Sequence, residues 1–113
     1  MITIWHNPRC SKSRQTLALL KERKLEFKVM RYLDDPPDVD ELRATLASLG
    51  VPAIKMMRTN EKTFKERGLS KDEPDEVLIA AMAEDPILIE RPIVMSDGKA
   101  AIGRPPEAVL SIL

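Results

Sequence analysis

A short β-branched and aromatic run, Ile2-Thr3-Ile4-Trp5, breaks at His6-Asn7-Pro8, and a helical pattern opens almost at once. Over residues 13 to about 23, Leu17 and Leu20 share one face while Lys21 and Glu22 point elsewhere, which predicts an amphipathic helix. A second strand pattern follows over residues 27–32, where Phe27, Val29 and Arg31 alternate with Lys28, Met30 and Tyr32. A strand, a helix and a second strand in that order predict a right-handed crossover, and this unit constrains what the rest of the chain can do.

The remainder divides into a helical middle and a β-rich end. Pro36-Pro37 stops the second strand. Asp38 with Glu41 three residues later has the pattern of a capping box. Val39, Leu42, Leu46 and Leu49 make a helical stripe, and Gly50 stands where a helix should end. Weaker helical pieces are expected over 53–57 and 63–67, and a better one from about Pro74 to Glu84, stopped by Pro86. Pro92-Ile93-Val94-Met95 and Ala100-Ala101-Ile102 flank Ser96-Asp97-Gly98-Lys99, a hairpin signal with Asp-Gly in its turn. Residues 107–113 close the chain as a short helix. The order β-α-β, helical insert, β-β-α predicts an α/β protein with a mixed sheet, a thioredoxin-like arrangement.

A chain of 113 residues, 43% hydrophobic and 32% charged, fits one domain over residues 1–113, with the helical insertion at about 37–86. Lys+Arg and Asp+Glu both total 18 and aromatic residues are only 4%, so broad attraction to nucleic acid or to an anionic membrane is not expected. The longest uninterrupted apolar stretch, residues 77–83, is far shorter than the roughly 20 residues that span a bilayer. The amino-terminal residues lack the pattern of an export signal, which predicts a cytoplasmic protein. A monomer is the expected state.

Cys10 is the only cysteine, so no internal disulfide can form and its chemistry needs a second molecule's thiol. It falls in the turn before the first helix, where unpaired backbone N–H groups carry partial positive charge, and Arg9, Lys12 and Arg14 are close in sequence. All of these favour thiolate over thiol, and a Pro-Arg-Cys-Ser-Lys turn is too polar to be core. Cys10-Ser11-Lys12-Ser13 has the spacing of a dithiol motif with serine in place of the resolving cysteine. The chemistry expected is therefore monothiol: one attack, one adduct, and release by an outside thiol such as glutathione.

Ser11 and Ser13 read equally as capping hydroxyls or as substrate contacts. His6, four residues before Cys10, either supports the thiolate or simply ends a strand. One His and one Cys cannot supply a structural zinc site, so no metal is expected. Arg58, Arg91 and Arg104 complete the candidates, the last two preceding proline on stiffened backbone. Guanidinium groups bind tetrahedral oxyanions through paired N–H donors, so several converging on a thiolate would hold an anion open to a soft nucleophile.

With these residues in view, the sequence resembles the arsenate reductases coupled to glutathione and glutaredoxin, and in particular their short subgroup. The likeness runs over essentially the whole chain. It rests on His6-Asn7-Pro8-Arg9-Cys10 with Ser13-Arg14 behind, Arg58, Glu90-Arg91-Pro92-Ile93-Val94, and Gly103-Arg104-Pro105-Pro106-Glu107. The resemblance implies a thioredoxin-like fold and a Cys10 thiolate that attacks arsenate. It implies a sulfur–arsenic adduct held by Arg58, Arg91 and Arg104, with Ser13 and Arg14 among the oxyanion contacts. Glutathione and glutaredoxin would serve as external reductants, with no bound cofactor. It further implies that His6 helps keep Cys10 ionised and that the Arg91–Pro92 bond is cis. Ser11-Lys12 stand where the longer members carry Gly-Thr.

Two other readings remain open on the sequence. One is a monothiol oxidoreductase of the same build acting on another oxyanion or on glutathione mixed disulfides. The other is an RNA polymerase-binding regulator like the Spx family, whose Cys-x-x-Cys switch Ser13 would remove.

Overall fold

The computed structural model describes all 113 residues, Met1–Leu113, in two units: Met1–Asp35 with Arg91–Leu113, and Pro36–Glu90.

The first unit is built on four short strands: β1 (Ile2–Trp5), β2 (Phe27–Met30), β3 (Ile93–Ser96) and β4 (Lys99–Ile102). Their order is β2-β1-β3-β4. β1 and β2 run parallel with Trp5 level with Met30, whereas β1–β3 and β3–β4 are antiparallel. This is the mixed sheet of the thioredoxin-like fold. Helix α1 (Ser11–Glu22) makes the crossover between β1 and β2. It begins two residues earlier than the apolar spacing suggests, because Arg14 N–H already bonds the Cys10 carbonyl at 3.0 Å. Strand β2 is shorter than its alternating pattern: the last bond of the ladder runs from His6 N–H to the Met30 carbonyl at 2.8 Å. Asp97 and Gly98 both take positive φ (49° and 80°), the pair of left-handed conformations that a two-residue hairpin turn demands.

The core of this unit gathers Ile4, Leu20, Val94 and Val109 at 0% exposure, with Leu17 and Phe27 packed against it. Burying four such side chains stabilises the unit by about 1.5–3 kcal/mol each. The last segment, Pro106–Ile112, is a 3-10 helix that supplies Val109.

The second unit holds α2 (Val39–Leu49), α3 (Lys62–Glu66) and α4 (Asp75–Glu84), with short 3-10 helices at Ala53–Met56 and Pro86–Leu88. α2 starts on a complete capping box: Glu41 N–H donates to the Asp38 carboxylate at 2.8 Å and Asp38 N–H to that of Glu41. It ends on Gly50 at φ 67°, a left-handed cap. Arg43 on α2 grips Glu76 on α4 through Nε and Nη2, at 3.1 and 2.9 Å. No helix in the chain is long and apolar enough to cross a membrane.

Candidate active site

The turn after β1 is held by its own backbone. Cys10 N–H donates to the Asn7 carbonyl at 3.0 Å, Arg9 N–H to the Asn7 side-chain oxygen at 3.0 Å, and Arg14 Nη1 to the Pro8 carbonyl at 2.9 Å. Cys10 is thereby placed as the N-terminal flanking residue of α1, in extended conformation. Its side chain is only 8% exposed, more buried than the polarity of the turn leads one to expect. The burial is not of the inert kind. Desolvation pushes the thiol up, but the N–H groups of Ser13 and Lys12 and the charges of Arg91 and Arg104 more than offset it, and the net pKa is lowered. The Arg104 guanidinium donates from Nη2 to Cys10 Sγ at 3.6 Å, across 94 residues of sequence.

Arg104 is itself aimed by the backbone of the other arginine loop, since its Nε donates to the Arg91 carbonyl at 2.9 Å. The Gly103 N–H donates to the Pro92 carbonyl at 2.9 Å. The Arg91–Pro92 bond is cis, and so is Arg104–Pro105, which the sequence reading did not anticipate. The repeated Arg-Pro dipeptide was the available signal for the second. Gly103, which the sequence motif contains without a role of its own, is a steric requirement of this loop. A Cβ there would lie 2.6 Å from Thr16 Oγ1 and 2.7 Å from Pro92 Cγ, so only glycine lets the second arginine loop close onto both α1 and Pro92.

Ser13 and His6 pair with each other. Ser13 is fully buried, and its Oγ accepts the Asn7 N–H at 3.0 Å and pairs with His6 Nδ1 at 2.6 Å. Its hydroxyl does not cap α1, and what it offers the sulfur is its backbone N–H. His6 is 5% exposed, and burial, together with Arg31, Lys21 and Arg14, lowers its pKa. A neutral imidazole follows at neutral pH, hydrogen-bonded through Nδ1 to the Ser13 hydroxyl. His6 therefore adds no positive charge beside Cys10; it fixes Ser13, and through Ser13 the first turn of the helix. Arg14 spends one Nη on the Pro8 carbonyl and braces the loop.

Arg58 lies in the second unit. Its N–H bonds the Leu88 carbonyl at 2.8 Å and its Nη2 forms an ion pair with Glu61 at 3.1 Å. No group of three or more His, Cys, Asp or Glu side chains is arranged to hold a metal ion.

A thioredoxin-like sheet with a lone cysteine at the head of its first helix, and Arg104 Nη2 3.6 Å from the sulfur, defines a class: thioredoxin-like proteins with a single thiol. Residues 5–112 match the family model of the ArsC family, and the chain belongs to that family. It is 47% identical to a protein of Neisseria meningitidis serogroup A named arsenate reductase, over 99% of this chain and 97% of the relative. It is 51% identical to the protein YfgD of Escherichia coli K12, described as uncharacterized, over 99% and 96%. A solved structure titled arsenate reductase from Vibrio cholerae superposes with a TM-score of 0.95 at 49% identity, covering 99% of this chain and 97% of the other.

Proposed function

We propose that the protein reduces arsenate to arsenite with thiols as the source of electrons. The observation that carries this reading is the Cys10 sulfur at the head of α1 with the Arg104 guanidinium 3.6 Å away. A thiolate there can attack the arsenic of a bound arsenate, and a hydroxyl of the oxyanion leaves as water once protonated. The S–As(V) adduct keeps its negative oxygens next to Arg104 and Arg91, whose fixed charges stabilise it without reorganisation. Arg58, which the resemblance also implies, belongs to the helical unit and pairs there with Glu61.

Reduction takes two electrons. Glutathione attacks the adduct and glutaredoxin completes the exchange, so that the two outside sulfurs leave joined as a mixed disulfide. The electron pair stays on arsenic, and arsenite and the Cys10 thiolate are released. The monothiol motif supports this division of labour, because no second cysteine exists to resolve the adduct internally. The same dependence on outside thiols supports a cytoplasmic, reducing setting, and the protein acts as a monomer.

The experiment is an arsenite assay with purified protein, arsenate, glutathione and glutaredoxin. The expected result is arsenite formation that stops when any one component is withheld. Turnover of glutathione mixed disulfides without arsenite formation would instead place the thiol in the broader oxidoreductase role.

A further inference from the structure

Formal neutrality conceals a division of charge. The 18 basic and 18 acidic residues are split so that the sheet-bearing unit holds 11 basic and 6 acidic ones, and the helical unit 7 and 12. The two sets of cations are also used differently. In the helical unit Arg43 pairs with Glu76, Arg58 with Glu61, Lys62 with Glu66 and Arg67 with Asp85. In the sheet-bearing unit Arg14, Lys21 and Arg31 are exposed and none is in an ion pair.

These three form a strip. Arg14 and Lys21 are seven residues apart on α1, so they share a face, about 10 Å from one another along the axis. Ala18, exposed and small, lies between them and leaves the face flat. Arg31 follows β2, and the parallel register that sets Trp5 against Met30 brings it level with His6. Phe27 of β2 packs against the same core cluster as Leu20 of α1, so the end of β2 lies beside the helix that carries Arg14 and Lys21 and begins at Cys10. Asp34 and Asp35 follow in the next turn, where both N–H groups donate to the Arg31 carbonyl, and neither carboxylate forms an ion pair with Arg31.

We infer that this strip of α1 and the end of β2 is the docking surface for the protein reductant, a thiol protein of the glutaredoxin class whose active-site face is acidic. The inference rests on the thiol chemistry proposed above and assigns a surface to one of its partners. Unneutralised cations spread over this distance steer an opposing protein face; a tripeptide thiol needs only the charges at Cys10 itself. The step served is the partner thiolate's attack on the glutathione sulfur of the Cys10-bound arsenic adduct; a Cys10–glutathione disulfide presents the same sulfur to the same attack without arsenic. The new disulfide joins partner and glutathione, and Cys10 leaves as thiolate.

The test uses no arsenate, so its failure is distinct from failure of the arsenate reading. Full-length protein is converted to the Cys10–glutathione mixed disulfide with glutathione disulfide, and release by an acidic-faced glutaredoxin is followed in single turnovers. For the wild type the second-order rate constant should fall about tenfold between about 20 and about 300 mM salt. The Lys21→Glu/Arg31→Glu double variant should start about tenfold lower at low salt and lose most of the salt dependence. Its release by dithiothreitol and its thermal unfolding should match the wild type. Equal glutaredoxin rates in the two proteins would overturn the proposal. A parallel loss toward free glutathione would also overturn it, by showing that the strip serves the small thiol.

Discussion

Cys10→Ser will abolish arsenite formation, by at least about 1,000-fold, while leaving the fold intact. The two atoms differ little in size, and serine is the better residue at the head of a helix, because its oxygen accepts from the first-turn N–H groups more strongly than sulfur does. Stability should therefore hold within about 1 kcal/mol. Nucleophilicity will not. The donors and arginines that pull a thiol toward ionisation cannot bring a serine hydroxyl near neutral pH, and an alkoxide has no route to two-electron exchange with glutathione. Arsenite release and thermal unfolding on the same preparation separate the two effects. Arsenite output that survives the substitution would rule out a covalent role for Cys10.

Gly103→Ala is expected to impair both folding and turnover, although it adds a single methyl group. The new Cβ would meet Thr16 Oγ1 at 2.6 Å, Pro92 Cγ at 2.7 Å and Pro92 Cδ at 3.3 Å. Neither neighbour can swing aside. Thr16 is fully buried with its hydroxyl bonded to the Lys12 carbonyl at 2.9 Å, and Pro92 is a buried ring. The strain passes into backbone: into the Arg91–Pro92 segment whose carbonyls hold Arg104 and Gly103, or into α1 nearly two turns beyond Cys10.

Overpacking of this kind costs about 1–3 kcal/mol. The arginines are displaced from the sulfur as part of the same adjustment, and kcat/KM for arsenate should fall about 10- to 100-fold. Thr16→Ala in the same background should recover only part of the loss, because the Pro92 contacts remain. Denaturant unfolding and steady-state kinetics measure both quantities. Wild-type values in each would show that Gly103 does not set the closure of the two arginine loops.

These sites show where sequence reading succeeds and where it stops. The capping box of Asp38 and Glu41, the Gly50 terminator and the Asp97-Gly98 turn are local devices whose partners lie within four residues, and the sequence pattern locates each. Cys10 at the head of α1 was legible for the same reason: Pro8 and the onset of apolar spacing bracket it. Contacts that cross the chain were not. The pairing of Arg104 with Cys10 spans 94 residues, and on the residues alone the arginines were only possible anion ligands. Ser13 is one helical turn from Cys10, yet its side chain faces His6, a direction set by the packing of the turn onto β1 and β2. The need for glycine at position 103 depends on Thr16 and Pro92 arriving from two other segments, and no local pattern encodes that meeting.

The central claim is that Cys10 is more acidic than an ordinary thiol despite being buried. Alkylation by iodoacetamide as a function of pH tests it most directly, because a chain with one cysteine gives a single signal. The thiolate is the reacting form, so a lowered pKa keeps the rate at its plateau down to lower pH, and the rate then falls as the sulfur protonates. The account predicts a midpoint clearly below the usual thiol value of about 8.5. A midpoint at or above that value would mean that burial outweighs the helix N–H groups and the arginines, and would contradict it.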